Sequence, residues 1–219
     1  MVLLKKAADY SSTDLRIYID GDGQPWHADR PAENPTGSGK LTLNLMLADP
    51  QASIFLARPC YYLQEMPANC SPDLWTSARY SQRIVSAMTE AVSKLQEEQA
   101  LKTITLIGYS GGGTLALLVA ARLEIPTTVI TVAANLDTAA WTAFHGVLPL
   151  TESINPAEQH FAVNNIEQHH LLAGADTVVP PATIAKFRRN NPQAEFRLFE
   201  KFDHRCCWLE NWPAILADY

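Results

Sequence analysis

Apolar and polar positions along this chain follow two different rhythms. Six short segments are apolar almost throughout or rich in β-branched residues. They are Leu15–Asp20 (LRIYID), Ser53–Ala57 (SIFLA), Thr103–Gly108 (TITLIG), Thr127–Ala133 (TTVITVA), Gln168–Ala173 (QHHLLA) and Glu195–Phe199 (EFRLF). Runs of this length, closed by Gly, Pro or Asp, predict buried strands. Between them the period lengthens. Ile84, Val85, Met88, Val92 and Leu95 recur at spacings of three and four and predict one apolar helix face within 77–99. Helices are also predicted over 41–48, 114–123, 181–190 and 207–216, the last despite Pro213. Residues 24–39 hold three prolines and two glycines and read as loop.

Strands that alternate with helices, and that are apolar on both faces, predict an α/β fold. The expected architecture is a mostly parallel sheet of about six strands flanked by helices on both faces. Such sheets carry their sites at the carboxyl ends of the strands. The residues that follow each strand are therefore the candidates for chemistry.

The strand at 103–108 runs into Gly108-Tyr109-Ser110-Gly111-Gly112. This is G-x-S-x-G between a β-branched strand and an apolar helix. By chance the pattern arises about 0.07 times in a chain this long, with Gly and Ser each near 7% of residues. A turn this sharp strains the serine backbone, lifts its hydroxyl above the sheet and starts a helix beneath it. A phosphate loop is disfavoured, because no Lys follows the glycines. Serine is a weak nucleophile unless a neutral histidine takes its proton and a carboxylate orients that histidine. Asp176 stands in the turn after the strand at 168–173, and His204 lies beyond the strand at 195–199. His204 is the only histidine after Asp176. His27, His145, His160, His169 and His170 are read as structural. Asp203 is a weaker orienter, since adjacent side chains usually diverge.

These residues resemble the α/β-hydrolase superfamily. The carrying features are GYSGG at 108–112, AGADTVVP at 173–180, Asp203-His204, and the order Ser, Asp, His. The likeness runs from about Leu15 to the end. YIDGDGQPW at 18–26, ARPC at 57–60 and AANLDTAAW at 133–141 also resemble uncharacterised bacterial α/β-hydrolases, some of them exported or lipid-anchored. The resemblance implies an α/β-hydrolase fold with a minimal lid and a serine hydrolase of esterase type. Ser110 would be nucleophile, His204 base and Asp176 orienter. It further implies an oxyanion hole from the backbone N–H groups of Gly111 and Asp22. The loop reads Asp20-Gly21-Asp22-Gly23 where the family often has His-Gly. Carboxylates aimed at an oxyanion would repel it. Asp22 is therefore expected to point away and Asp20 to be hydrogen-bonded structurally; the alternative is a preference for cationic substrates. Thioesterase, peptidase, acyltransferase and perhydrolase activities use the same triad. A non-catalytic binding module is disfavoured because all three triad positions are filled.

Residues 134–167 have room for a small lid. Gly21, Tyr109, Trp141 and Leu148 are the candidate substrate-binding residues, and Asn135 and Asp137 either reach the site or cap a helix. The 219 residues suit a single domain, with 47% apolar content and a net charge of −6. That charge disfavours a nucleic-acid or anionic-membrane partner. No apolar run spans a bilayer, and Met1–Lys6 is no signal-peptide core. The chain as written reads as cytosolic, or as periplasmic or secreted if a leader has been removed. The expected partner is a small ester or acyl compound; oligomeric state stays open. No metal or organic cofactor is required. Cys60 and Cys70 either pair or stay as thiols. Cys206 and Cys207 crowd His204 too closely for a tetrahedral metal.

Overall fold

The computed structural model describes residues 3–5, 13–161 and 165–219. Of the opening Met1–Lys6 stretch, only Leu3–Lys5 is among them, as strand β1. Then come β2 (Asp14–Ile19), a small hairpin of β3 (Trp26–His27) and β4 (Arg30–Pro31), α1 (Leu41–Ala48) and β5 (Ser53–Leu56). The chain continues through α2 (Gln82–Gln99), β6 (Thr103–Tyr109), α3 (Gly111–Ala120), β7 (Thr127–Val132) and α4 (Thr138–His145). It ends with β8 (Ile166–Ala173), α5 (Ala185–Asn190), β9 (Glu195–Phe199) and α6 (Trp208–Leu216).

The main sheet has seven strands in the order β1-β5-β2-β6-β7-β8-β9. Six are parallel, as the strand pattern predicts, and β1 adds an antiparallel edge on β5. A three-residue edge strand carries too little pattern to be read in advance. Successive residues of each strand feed opposite faces. In β2, Ile17 and Ile19 join the core with α2 and α3, while Tyr18 joins the core with α1 and α6. Helix α3 is buried along its whole length, which explains its uniformly apolar sequence.

Two predicted helix starts shift. Helix α2 begins at Gln82, not 77, because Ser81 caps it by accepting from the Ile84 N–H; its apolar face is the predicted one, fully buried. Helix α3 begins at Gly111 rather than 114. Position 112 takes glycine because the helix start presses on the end of β2: a Cβ there would overlap the backbone oxygens of Ile19 and Asp20. Residues 181–184 form a 3-10 turn ahead of α5. A buried Arg16–Asp49 pair at 3.0 Å, which also takes the Tyr18 hydroxyl at 2.6 Å, ties β2 to the end of α1. Cys60 and Cys70 form a disulfide with Cα atoms 5.6 Å apart, and Cys206 is linked to Cys207. Closing a loop the size of 60–70 stabilises by roughly 2–3 kcal/mol.

His169 and His170 on β8 divide as alternation requires. His169 meets Glu195 at 2.8 Å, and His170 is fully buried against the Thr131 hydroxyl at 2.8 Å. Burial, helped by the nearby His169, pushes the His170 pKa down to about 3. The unfolded chain takes up this proton near pH 6.5 and the folded chain does not. His170 thus makes stability constant above about pH 6.5 and declining below it, by up to about 1.4 kcal/mol per pH unit. Urea unfolding at pH 7, 6 and 5 should show this slope, and His170→Gln should flatten it. An unchanged slope in the variant would assign the acid sensitivity elsewhere.

Candidate active site

Ser110 sits between β6 and α3 with φ 52° and ψ −125°, a conformation that side chains other than glycine rarely adopt. Its backbone N–H donates to the Val132 carbonyl at 2.8 Å, which anchors the turn on the neighbouring strand. The hydroxyl stands at the N-terminus of a buried helix, where the dipole favours negative charge.

Asp176 follows β8, as the strand-end rule predicts. Its buried carboxylate is held from two sides. Oδ1 accepts the Val178 and Val179 N–H groups at 2.7 and 2.8 Å, and Oδ2 lies 2.8 Å from His204 Nδ1. A carboxylate only accepts, so Nδ1 carries the proton and Nε2 is left as the acceptor of the neutral ring. The Tyr109 ring packs on the imidazole with centroids 5.1 Å apart. Ser110 and His204 line one cavity of about 640 Å³, together with Gly21, Asp22, Tyr109, Asn135 and Trp141.

The loop after β2 holds two aspartates, and both carboxylates have partners. Asp20 is structural, accepting from Gly21 N at 2.9 Å, Thr42 Oγ1 at 2.7 Å and the Tyr62 hydroxyl. The Asp22 carboxylate points at Arg58, Arg79 and Tyr80. It also packs on Gly111, where a Cβ would overlap Asp22 Oδ1 and the Tyr80 hydroxyl oxygen. Its charge is compensated there. Arg58 pairs with Oδ1, while Arg79 donates to Oδ2 at 3.0 Å and the Tyr80 hydroxyl at 2.6 Å. Burial alone would raise this carboxyl; the two guanidinium groups outweigh it and bring the pKa down to about 2. Arg58 and Arg79 are themselves buried. Sequence reasoning missed both as site residues. Arg58 stands just past the end of β5, so the strand-end rule offered a signal; Arg79 and Tyr80 offered none.

The segment 134–167, of which 162–164 lie outside the described residues, places α4 beside the cavity. Trp141 lines the cavity and donates from Nε1 to the Val178 carbonyl at 2.7 Å; His145 contacts the same carbonyl at 2.8 Å. Leu148, expected in the pocket, is instead 84% exposed. Gly146 ends α4 in the left-handed conformation, with φ 62°, two residues before it. Asp137 caps α4 through the Ala140 N–H at 3.1 Å. His27 and His160 are exposed and do not line the cavity.

Comparison with known proteins decides the architecture. An esterase from Pyrococcus furiosus superposes with a TM-score of 0.64 over 96% of this chain and 82% of its own, at 14% identity. The chain has the α/β-hydrolase fold. A lipase-esterase related protein from Clostridium acetobutylicum shares this fold at TM-score 0.64 and 14% identity, covering 99% of this chain and 97% of its own. A serine hydrolase without a lid from Xanthomonas campestris shares it at 0.56 and 14%, covering 99% and 85%. No family model and no curated protein matches the chain in sequence. Within the α/β-hydrolase fold, Ser110, Asp176 and His204 follow the strands that the sequence pattern pointed to. Among the described residues no helix is long and apolar enough to cross a membrane.

Proposed function

We propose that this protein is a serine hydrolase that cleaves carboxylic esters through an acyl-enzyme. The observation that carries the reading is the His204–Asp176 hydrogen bond of 2.8 Å in a cavity shared with a strained, helix-capping Ser110. The esterase and serine hydrolase names of the similar structures support it. In this reading the Ser110 hydroxyl attacks the carbonyl carbon as His204 Nε2 takes its proton. The N–H groups of Gly111 and Asp22 hold the oxyanion. Asp176 keeps the imidazole in the right tautomer and stabilises its cation. The tetrahedral intermediate collapses, and His204 returns the proton to the departing alcohol. Water, activated by the same histidine, then cleaves the Ser110 ester and regenerates the hydroxyl. Every step draws on groups of this chain and on water.

The test is covalent. A fluorophosphonate should add to the Ser110 oxygen with loss of fluoride and block ester turnover at one equivalent. Mass spectrometry of the peptide that carries Ser110 reads the adduct. No adduct there, or full activity after labelling, would overturn the reading.

A further inference from the structure

Arg79 lies between the 3-10 turn Pro72–Trp75 and the start of α2. It is 5% exposed, yet it lines the cavity of Ser110 and His204. Three ties hold it. Its backbone carbonyl accepts from Arg58 Nη2 at 2.9 Å, its Nε donates to the Thr76 carbonyl at 2.8 Å, and its Nη1 donates to Asp22 Oδ2 at 3.0 Å. Its Nη2 has no hydrogen-bond partner among the described residues. Nor is that nitrogen sealed off. The unpartnered side-chain atoms with almost no accessible surface are Arg58 Nε, Trp75 Nε1, Asn135 Oδ1, Gln168 Nε2 and Asn191 Oδ1, among the described residues. Arg79 Nη2 is thus an unpaired donor with accessible area, at the tip of a buried side chain in the cavity wall.

Charge decides which acceptor suits it. Asp22 serves two guanidinium groups, so this buried trio carries one uncompensated positive charge. Arg58 is the better screened of the two, with its guanidinium carbon 4.9 and 5.6 Å from the Tyr61 and Tyr80 rings. Asp20 also lines the cavity, but the Gly21 N–H and the Thr42 and Tyr62 hydroxyls engage its carboxylate. With Lys40 and Arg205, the wall holds three cationic side chains against the two carboxylates of Asp20 and Asp22. Behind it, Arg58 on Asp22 and Asp176 on His204 add one charge of each sign, so the excess stays at one with His204 neutral.

We propose that Arg79 is a substrate-binding residue: Nη2 opens on the cavity and donates to a carboxylate carried near the scissile ester. This rests on the ester-hydrolase reading of the same cavity. The Asp22 carboxylate that takes Nη1 packs on Gly111, the residue after Ser110, so the guanidinium stands one carboxylate away from the nucleophile's neighbour. A carboxylate suits the site better than a phosphate dianion, because the excess on the wall is a single charge. A hydrogen bond between two ionised groups is stronger than a neutral one, and a buried guanidinium has already given up most of its water. A neutral ester of the same shape leaves the excess charge unbalanced.

The experiment uses two pairs of matched esters. Monoethyl succinate and ethyl levulinate differ by a carboxylate against a methyl ketone on the acyl side. Acetoxyacetate and acetoxyacetone differ in the same way on the alcohol side. Each ratio of kcat/KM is divided by the ratio of the pair's rates with hydroxide alone. The expected result is a preference of about 10- to 100-fold for the carboxylate in at least one pair. The pair that shows it tells the side on which Arg79 reads. Arg79→Gln should bring that ratio to one or below, and Arg79→Lys should restore part of it. A wild-type ratio of one or below in both pairs would overturn the proposal. So would an equal loss on all four esters in Arg79→Gln, the mark of an oxyanion contact or a merely structural role. The exposed cations give a test that does not depend on how Arg79 variants fold. In Lys40→Gln with Arg205→Gln the preference should persist, and its disappearance there would overturn the assignment to Arg79. A binding arm separates this proposal from the catalytic one. The Ser110→Ala protein is titrated with each ester, with and without Arg79→Gln. Tighter binding of a carboxylate ester than of its neutral match, lost with Arg79, supports the proposal even if wild type hydrolyses none of the four. Equal binding within both pairs overturns it.

Discussion

Ser110→Ala should lower kcat/KM for short p-nitrophenyl esters by at least about 10⁴-fold, the usual cost of deleting a triad nucleophile. Fold integrity should survive. Ser110 is held by its backbone, through the Val132 carbonyl, and not by its side chain. The backbone strain remains in the alanine variant, because a Cβ is still present at φ 52°. It is relieved in Ser110→Gly. That variant should be equally inactive yet more stable, by about 1–2 kcal/mol, part of the usual cost of such a conformation. Kinetics and urea unfolding on the same samples check both halves. Loss of activity with gain of stability would mark the strain as retained for function. Equal turnover by wild type and Ser110→Ala would remove the serine from the chemistry altogether.

What could be read in advance, and what could not, divides by distance along the chain. Ser110, Asp176 and His204 each follow a strand within a few residues, so the strand-then-turn pattern points to them separately. The apolar face of α2 was legible for the same reason: its period is local. Boundaries were less so. The glycines after Ser110 look like a turn in sequence. They are the first turn of α3, and each is pressed by a different neighbour: Gly111 by Asp22 and Tyr80, Gly112 by the end of β2, and Gly113 by Ala134. Leu148 shows the opposite failure. Its apolar character suggested a pocket, but it lies in an exposed run that already begins in the last turn of α4. Least legible was the compensation of Asp22. Its partners lie 36, 57 and 58 residues away, and no local pattern joins them. The sequence did pose the problem, a carboxylate beside the oxyanion loop. Only the fold supplies the arginines that answer it.

The compensation of Asp22 can be broken from the side of Arg58. Arg58 does not line the cavity; it is tied to the site through the Asp22 carboxylate and through the carbonyl of the cavity residue Arg79. Arg58→Met removes one of two cations from a buried carboxylate. Stability should fall by about 3–5 kcal/mol, the range for breaking a buried pair from one side. kcat should fall by about 10- to 100-fold with a smaller change in KM, since the less compensated charge opposes an oxyanion that forms after binding. Arg58→Lys keeps the charge and should retain most of kcat while losing some stability, because it cannot also reach the Arg79 carbonyl as the guanidinium does at 2.9 Å. The deciding variant is Asp22→Asn in the Arg58→Met background. If the arginine works by neutralising Asp22, removing the carboxylate should return part of both kcat and stability. The coupling in the double-mutant cycle should exceed about 1 kcal/mol. Purely additive losses would mean that Arg58 acts by packing against Tyr61 and Tyr80, whose rings lie 4.9 and 5.6 Å from its guanidinium carbon. A fall in pH probes the same pair. Because Asp22 is held at about 2 when folded, its contribution is whole above about pH 3.8 and is lost as pH drops from there toward 2. Asp22→Asn should erase that loss and leave the His170 slope between about pH 6.5 and pH 4 untouched, so the two acid sensitivities can be told apart by where they fall.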